Sequence, residues 1–211
     1  MTNLRQIYVA IAVAALGYFV DIYDLILFGV VRIPSLHGLG IVDEDLVRRE
    51  GEFLMNVQMT GLLVGGFLWG ILGDKRGRLS VLFGSIFIYS TANLLNGFIR
   101  TIESYAILRF IAGIGLAGEL GAGVTLVSEL MSKEKRGIGT TIIASFGLLG
   151  AVAANKVANI NWGLEFENWR IAYIVGGIMG LMLLLLRISV RESGMFSKVL
   201  SNSVSRGDLR L

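Results

Sequence analysis

The sequence predicts an all-α integral membrane protein, a bundle of six transmembrane helices. Three observations carry that prediction. Hydrophobic residues make up 54% of the 211-residue chain and charged residues 17%, whereas a soluble domain carries about 25% charged residues. Six stretches reach the roughly 20 largely apolar residues that a bilayer-spanning helix needs. The basic residues between those stretches fall into two unequal sets, as the insertion machinery requires of a multispan protein.

The spans cover roughly 7–31, 53–73, 79–99, 104–131, 137–158 and 169–190. The first begins at Ile7, after a single cation at Arg5. It is long, contains acids and ends in no small-residue cleavage site, so it reads as a retained helix and not a removed signal. Arg32 to Glu52 form an outer loop with Pro34, Gly38 and Gly40, followed by the solvated charges Asp43-Glu44-Asp45, Arg48-Arg49-Glu50 and Glu52. Polar residues mark the second span (Asn56, Gln58, Thr60), the end of the third (Asn93, Asn96) and the fifth (Ser145, Asn155). Residues 1–195 form one transmembrane domain. Residues 196–211 form a polar cytoplasmic tail, with Ser201, Ser203, Ser205 and Gly207, and are expected to be partly disordered.

Orientation follows from the short connections. One side carries Arg5, Lys75, Arg76, Arg78, Lys133, Lys135, Arg136, Arg187, Arg191, Lys198, Arg206 and Arg210, twelve in all. The other carries five: Arg32, Arg48, Arg49, Arg100 and Arg170. Both termini are therefore expected in the cytoplasm. The net charge of +3 becomes a topology signal and needs no nucleic-acid partner. There is no Cys, and the single His37 lies in a loop, so no thiolate or histidine metal cluster is available. The glycine run Gly113 to Gly121 follows no strand and is no dinucleotide site. No enzymatic step, metal or cofactor is implied.

Small residues recur at spacing four: Gly61 and Gly65, Gly66 and Gly70, Gly176 and Gly180, and Gly113, Ala117 and Gly121. Such faces let backbones approach in lipid, or slide during a conformational change. Asp21 and Asp24 fall in the first span, Arg109 and Glu119 in the fourth, and Lys156 late in the fifth. Each costs about 2.5–3.5 kcal/mol at the bilayer centre, so an ion or substrate pathway between helices is the expected reason. Asp21 and Asp24, three apart, share one side of their helix. Arg109 falls at a matching depth and can pair with either acid. Glu119, ten residues on, lies roughly 15 Å further along the helix. It is a second proton-site candidate or a neutral packing group. Lys156 can snorkel to the outer surface. Tyr18 and Tyr23 face either a cavity or the core.

Between the second and third spans runs Gly70-Ile71-Leu72-Gly73-Asp74-Lys75-Arg76-Gly77-Arg78. Its order of Gly, Asp, basic, Gly and Arg resembles the signature loop of the major facilitator superfamily. Arg109 followed by Gly113 and Gly115 resembles that family's helix-four motif. Glu129 through Arg136-Gly137 resembles its Glu-to-Arg-Gly spacing, and Val190-Arg191-Glu192-Ser193 its element after helix six. The likeness covers about 5–195 and corresponds to the amino-terminal six-helix half. Ile22-Tyr23-Asp24 is similar to sugar porters, whereas Ala117-Gly118-Glu119 and Leu126-Val127-Ser128-Glu129 look like metabolite:proton symporters. Leu79 departs from the loop pattern, where Arg or Lys is common, and helix five lacks the Pro of drug antiporters.

The resemblance implies secondary active transport of a small polar metabolite, an organic acid or a sugar, by proton-coupled symport across a bacterial inner membrane. Asp21, Asp24, Arg109 and Glu119 are the proton- and substrate-binding candidates. Gly70, Asp74, Gly77, Arg78, Glu129 and Arg136 are the cytoplasmic gate, whose charges the resemblance places in one relay. Lipid, substrate and protons are the expected partners. A second half is also expected, supplied by a homodimer or by a separate carboxy-terminal chain. The rival readings are a non-transporting assembly or regulatory subunit and an inactive split half. Because the chain has no Cys, topology is directly testable. In intact cells a membrane-impermeant thiol reagent should label Arg49→Cys and spare Lys75→Cys, and the opposite pattern would invert the orientation.

Overall fold

A computed structural model of the chain describes residues 4–76, 78–120, 136–163 and 166–192. Within them lie six α-helices: α1 Leu4–Gly38, α2 Glu44–Arg76, α3 Arg78–Asn96, α4 Ile102–Leu120, α5 Arg136–Asn159 and α6 Asn168–Glu192. Four segments are long and apolar enough to cross a bilayer: Ile11–Gly38, Glu44–Arg76, Gly137–Asn159 and Asn168–Ile188. The described parts of α3 and α4 are shorter, and α4 carries Glu103, Arg109 and Glu119. The tail expected at 196–211 lies outside the described residues.

The first outer connection differs from its sequence reading. Most of 32–52 is helical, and only 39–43 remain between α1 and α2. Local chemistry explains both helix ends. Gly40 adopts a φ of +87°, a left-handed turn that ends α1. There the Ile41 amide donates back to the Leu36 carbonyl at 3.0 Å. Asp43 then caps α2, its carboxylate accepting the Leu46 N–H at 2.9 Å. Glu44 and Asp45 follow in the first turn, where acids suit the positive end of the helix dipole. Thr101 caps α4 by accepting the Ser104 N–H at 3.3 Å.

In the packed bundle α1 lies against α5 and α6, α4 sits between α2 and α3, and α3 also contacts α6. Glycine makes these crossings close. A Cβ on Gly65 would stand 2.7 Å from the Ile114 Cα, and one on Gly113 2.9 Å from the Leu62 nitrogen. On the other face of α4, a Cβ on Gly115 would lie 2.6 Å from the Tyr89 nitrogen. The α3–α6 crossing depends on Gly177 in the same way, at 2.7 Å from the Leu94 nitrogen. The sequence pair Gly61 and Gly65 thus packs on α4, whereas Gly66 and Gly70 have nothing within 4 Å of an added Cβ.

Towards the end of the bundle that holds Gly38 and Ile99, the core is aromatic: Tyr23, Phe28, Tyr105, Trp169 and Tyr173 cluster there. Arg170 fastens the start of α6 to the end of α3. It donates to the carbonyls of Gly97 (3.2 Å) and Ile99 (2.7 Å) and pairs with Glu167 at 2.9 Å. These backbone distances generate a paired expectation. Gly177→Val lowers the unfolding midpoint of the purified chain, at an overpacking cost of about 1–3 kcal/mol. Gly66→Val, with open space in front of it, stays within roughly 0.5 kcal/mol of the parent.

Candidate functional site

Among the described residues, five charged side chains are buried: Asp21, Asp24, Arg109, Glu119 and Arg187. They form two groups around α1. One helical turn separates Asp21 from Asp24, so α1 presents one carboxyl to each group.

The first group is built on Arg109 of α4, a guanidinium only 1% exposed. Its Nη2 donates to Asn93 Oδ1 of α3 at 2.5 Å. Its planar head lies 4.8 Å from the Tyr173 ring centroid and 5.7 Å from that of Phe28. Stacking on aromatic faces suits a desolvated guanidinium, whose charge the ring quadrupoles offset. Those rings are themselves held. The hydroxyls of Tyr173 and Tyr105 bond at 2.6 Å, and Ser35 Oγ bonds Tyr105 at 3.1 Å. Tyr23 donates to the Ala172 carbonyl at 2.9 Å.

Asp24 enters this group from α1. Arg109 and Asn93 are its electrostatic neighbours, in keeping with their matching depth along the helices. No salt bridge joins Asp24 to Arg109, however, and neither Asp24 oxygen accepts a hydrogen bond from a described protein donor. Asn93 takes the guanidinium donor instead. Asp24 Oδ1 points at Gly176 of α6, where a Cβ would stand 2.7 Å away. The acid therefore occupies a recess that only glycine leaves open.

The second group gives Glu119 a partner that its sequence position does not reveal. Glu119 Oε1 lies 2.5 Å from Nη1 of Arg187 on α6, and both side chains are buried. Sequence position alone puts Arg187 among the inner surface cations. At 6% exposure it belongs to the interior, and eleven basic residues remain against five in the orientation count. Gly17 of α1 makes room for this pair. A Cβ there would lie 3.0 Å from Glu119 Oε1 and 3.2 Å from Arg187 Cζ. Asp21 sits beside Glu119 and Arg187, and Tyr89 of α3 adjoins the same acids.

Sequence reasoning misses Arg187 and Asn93. Both lie within apolar spans, Arg187 as a cation near a span end and Asn93 as one of several polar residues. Only helix rotation shows that they point inward. Lys156 is exposed near the end of α5, and Tyr23 is core. Of the gate residues, Gly70 and Asp74 are exposed on the last turns of α2. Arg78 opens α3 and Arg136 opens α5, with side chains outside the described residues. Gly77 and Glu129 also lie outside them. No cluster of three or more metal-ligating side chains occurs among the described residues.

A bundle with charges gathered between α1, α3, α4 and α6 has recognisable relatives. The putative niacin/nicotinamide transporter NiaP of Bacillus subtilis is 31% identical over 183 residues, 87% of this chain and 44% of the relative. A probable 4-methylmuconolactone transporter of Cupriavidus pinatubonensis is 28% identical over 195 residues, 92% of this chain and 44% of the relative. The chain thus spans less than half the length of these curated relatives. In fold it is similar to the proton:xylose symporter XylE bound to 6-bromo-6-deoxy-D-glucose, with a TM-score of 0.74 and 20% identity over 89% of this chain and 45% of the other. The family model described as Major Facilitator Superfamily matches residues 14–200; the chain belongs to that superfamily and has the fold of its six-helix half.

Proposed function

We propose that this chain forms one half of a proton-coupled symporter for a small organic acid. The observation that carries the reading is Arg109, a guanidinium buried among aromatic rings, with an acid at the same depth and no salt bridge between the two. A guanidinium fixed by one amide and two ring faces keeps donors available for a planar carboxylate. Asp24 and Asp21 are the proton-binding acids in this reading, Arg109 the counter-charge and anion contact, and Glu119 an auxiliary site. The relatives named for niacin/nicotinamide and 4-methylmuconolactone support a small cyclic metabolite over a sugar.

Transport requires a second wall. Superfamily transporters hold substrate between two six-helix units that rock about it. A second six-helix unit, either another copy or a carboxy-terminal half, supplies that wall here. Gly66 and Gly70 on the open face of α2, with Asp74 beyond them, suit contact with it. Asp74, Arg78, Glu129 and Arg136 would then latch the cytoplasmic side, and the site lies in an inner membrane.

Reconstituted vesicles test the proposal. With the second unit present, an inside-alkaline pH gradient should drive uptake of a labelled aromatic monocarboxylate, and Asp24→Asn should reduce uptake to that of empty vesicles. Uptake indifferent to the gradient and to Asp24→Asn would end the symport reading. Arg109→Lys keeps the charge but loses the planar fork and its stacking. It should weaken binding of the carboxylate by roughly 10- to 100-fold, the loss expected for a charge-assisted hydrogen bond worth about 1.5–3 kcal/mol. Equilibrium binding reads that change separately from transport.

A further inference from the structure

Away from the buried charges, a cleft of about 360 Å³ opens at the start of α6. It is lined by Gly97, Phe98 and Arg100 from the α3–α4 turn, and by Phe166, Glu167 and Arg170. That volume falls among those of small-ligand pockets. Gly97 packs close against α6, where a Cβ would stand 2.6 Å from Ile174 Cγ1. The exposed rings of Phe98 and Phe166 meet edge-on, with centroids 6.4 Å apart.

The lining carries an excess of positive charge: Arg100 and Arg170 against one acid, Glu167. That acid is already matched, because Arg170 Nε donates to its Oε2 at 2.9 Å. Arg170 Nη1 serves the carbonyls of Gly97 and Ile99, and Nη2 makes no hydrogen bond to a described residue. Arg100 is exposed and makes no hydrogen bond or ion pair with any described residue. A guanidinium in that state presents a planar fork of donors, which matches the oxygens of a phosphate.

The surroundings select a phosphate that belongs to a lipid. The cleft stands where apolar helices end, with Asn96 closing α3 and Asn168 opening α6. Trp162, exposed in the neighbouring connection, donates its indole N–H to the Val157 carbonyl at 3.1 Å. Amphipathic rings of that kind sit at the headgroup level of a bilayer. From the cleft, α6 runs into the span with Ile178, Met182 and Leu185 exposed at helical spacing, and α3 exposes Leu95 beside Phe98. A soluble anion gains nothing from that apolar surface, whereas an acyl chain does. The glycine face of α2, which suits a second six-helix unit, contributes no residue to the cleft. We propose that the cleft binds the phosphate of an anionic phospholipid, with Arg100 as its main contact and the acyl chains laid along the exposed face of α6.

Crosslinking tests the site on the full chain in detergent micelles, with phosphatidylglycerol that carries a photoreactive acyl chain. Mass spectrometry should map the crosslinks to Leu95, Ile178 and Met182. Unlabelled phosphatidylglycerol should displace the probe. Diacylglycerol, which has the chains without the phosphate, should not, and neither should glycerol 3-phosphate or benzoate, which are anions without chains. Arg100→Gln should weaken binding roughly 5- to 10-fold, the worth of one cation beside an anionic headgroup. Arg49→Gln, which removes an exposed cation outside the cleft, should change it less than about twofold. Helical content and monodispersity show whether each variant folds, and the competition with the wild type decides the question without either variant. Crosslinks spread evenly over the helices, or equal displacement by diacylglycerol, would overturn the proposal by leaving only an apolar surface. Displacement by glycerol 3-phosphate or benzoate would overturn it in favour of a soluble-anion site. Undiminished binding in folded Arg100→Gln, or an equal loss in Arg49→Gln, would remove Arg100 from the site and the proposal with it.

Discussion

A charge carried into lipid has to find its compensation inside the bundle, and in this chain α1 creates the need. Asp21 and Asp24 lie one turn apart on a helix that is otherwise apolar through the same stretch. Water cannot satisfy them, so the neighbouring helices must. α4 brings Arg109 and Glu119, α6 brings Arg187, and α3 brings Asn93 and Tyr89. Of these helices, α1 packs on α4 and α6, and α3 packs on the same two. Charge compensation and helix packing are therefore a single problem here, with α1 at its centre.

Glycine solves the geometric part of that problem. Backbones at the α2–α4, α3–α4 and α3–α6 crossings approach too closely for any side chain, which is how helices associate where no hydrophobic drive separates protein from lipid. Two further glycines do something different. Gly17 and Gly176 make room for side chains, the first beside the Arg187–Glu119 pair and the second at Asp24 Oδ1. A residue with a Cβ at either place would displace a charged group from its partners. Spacing alone cannot tell these two uses of glycine apart. Gly176 and Gly180 form a spacing-four pair, yet Gly180 meets Ser90 of α3 while Gly176 meets the acid.

That distinction marks what can be read from residues. Span number, helical class and the identity of four intramembrane charges follow from hydropathy and from the cost of burying charge. The pairing of those charges depends on helix rotation and tilt. Arg187 shows the difficulty most clearly. A cation near the end of an apolar span is equally suited to anchoring the helix at the surface and to reaching inward, and only the position of Glu119 on a neighbouring helix decides. Asn93 is one of several polar residues in the spans, and nothing in its local sequence singles it out as the group that receives Arg109. The outer connection departs from its sequence reading for a different reason. Its charge run suggests a solvated loop, but charged residues are good helix formers once a cap such as Asp43 is present.

The two charge groups also constrain how they can act on each other. They share α1, and Asp21 feels the charge of Asp24 as well as that of Glu119 and Arg187. In a dry interior such interactions are screened far less than at the surface. An anion arriving at Arg109 would change the field at Asp24, and through it the field one turn away at Asp21. Coupling of that kind needs no chain of moving side chains. It needs only that both groups stay desolvated and that α1 holds its two acids at a fixed separation.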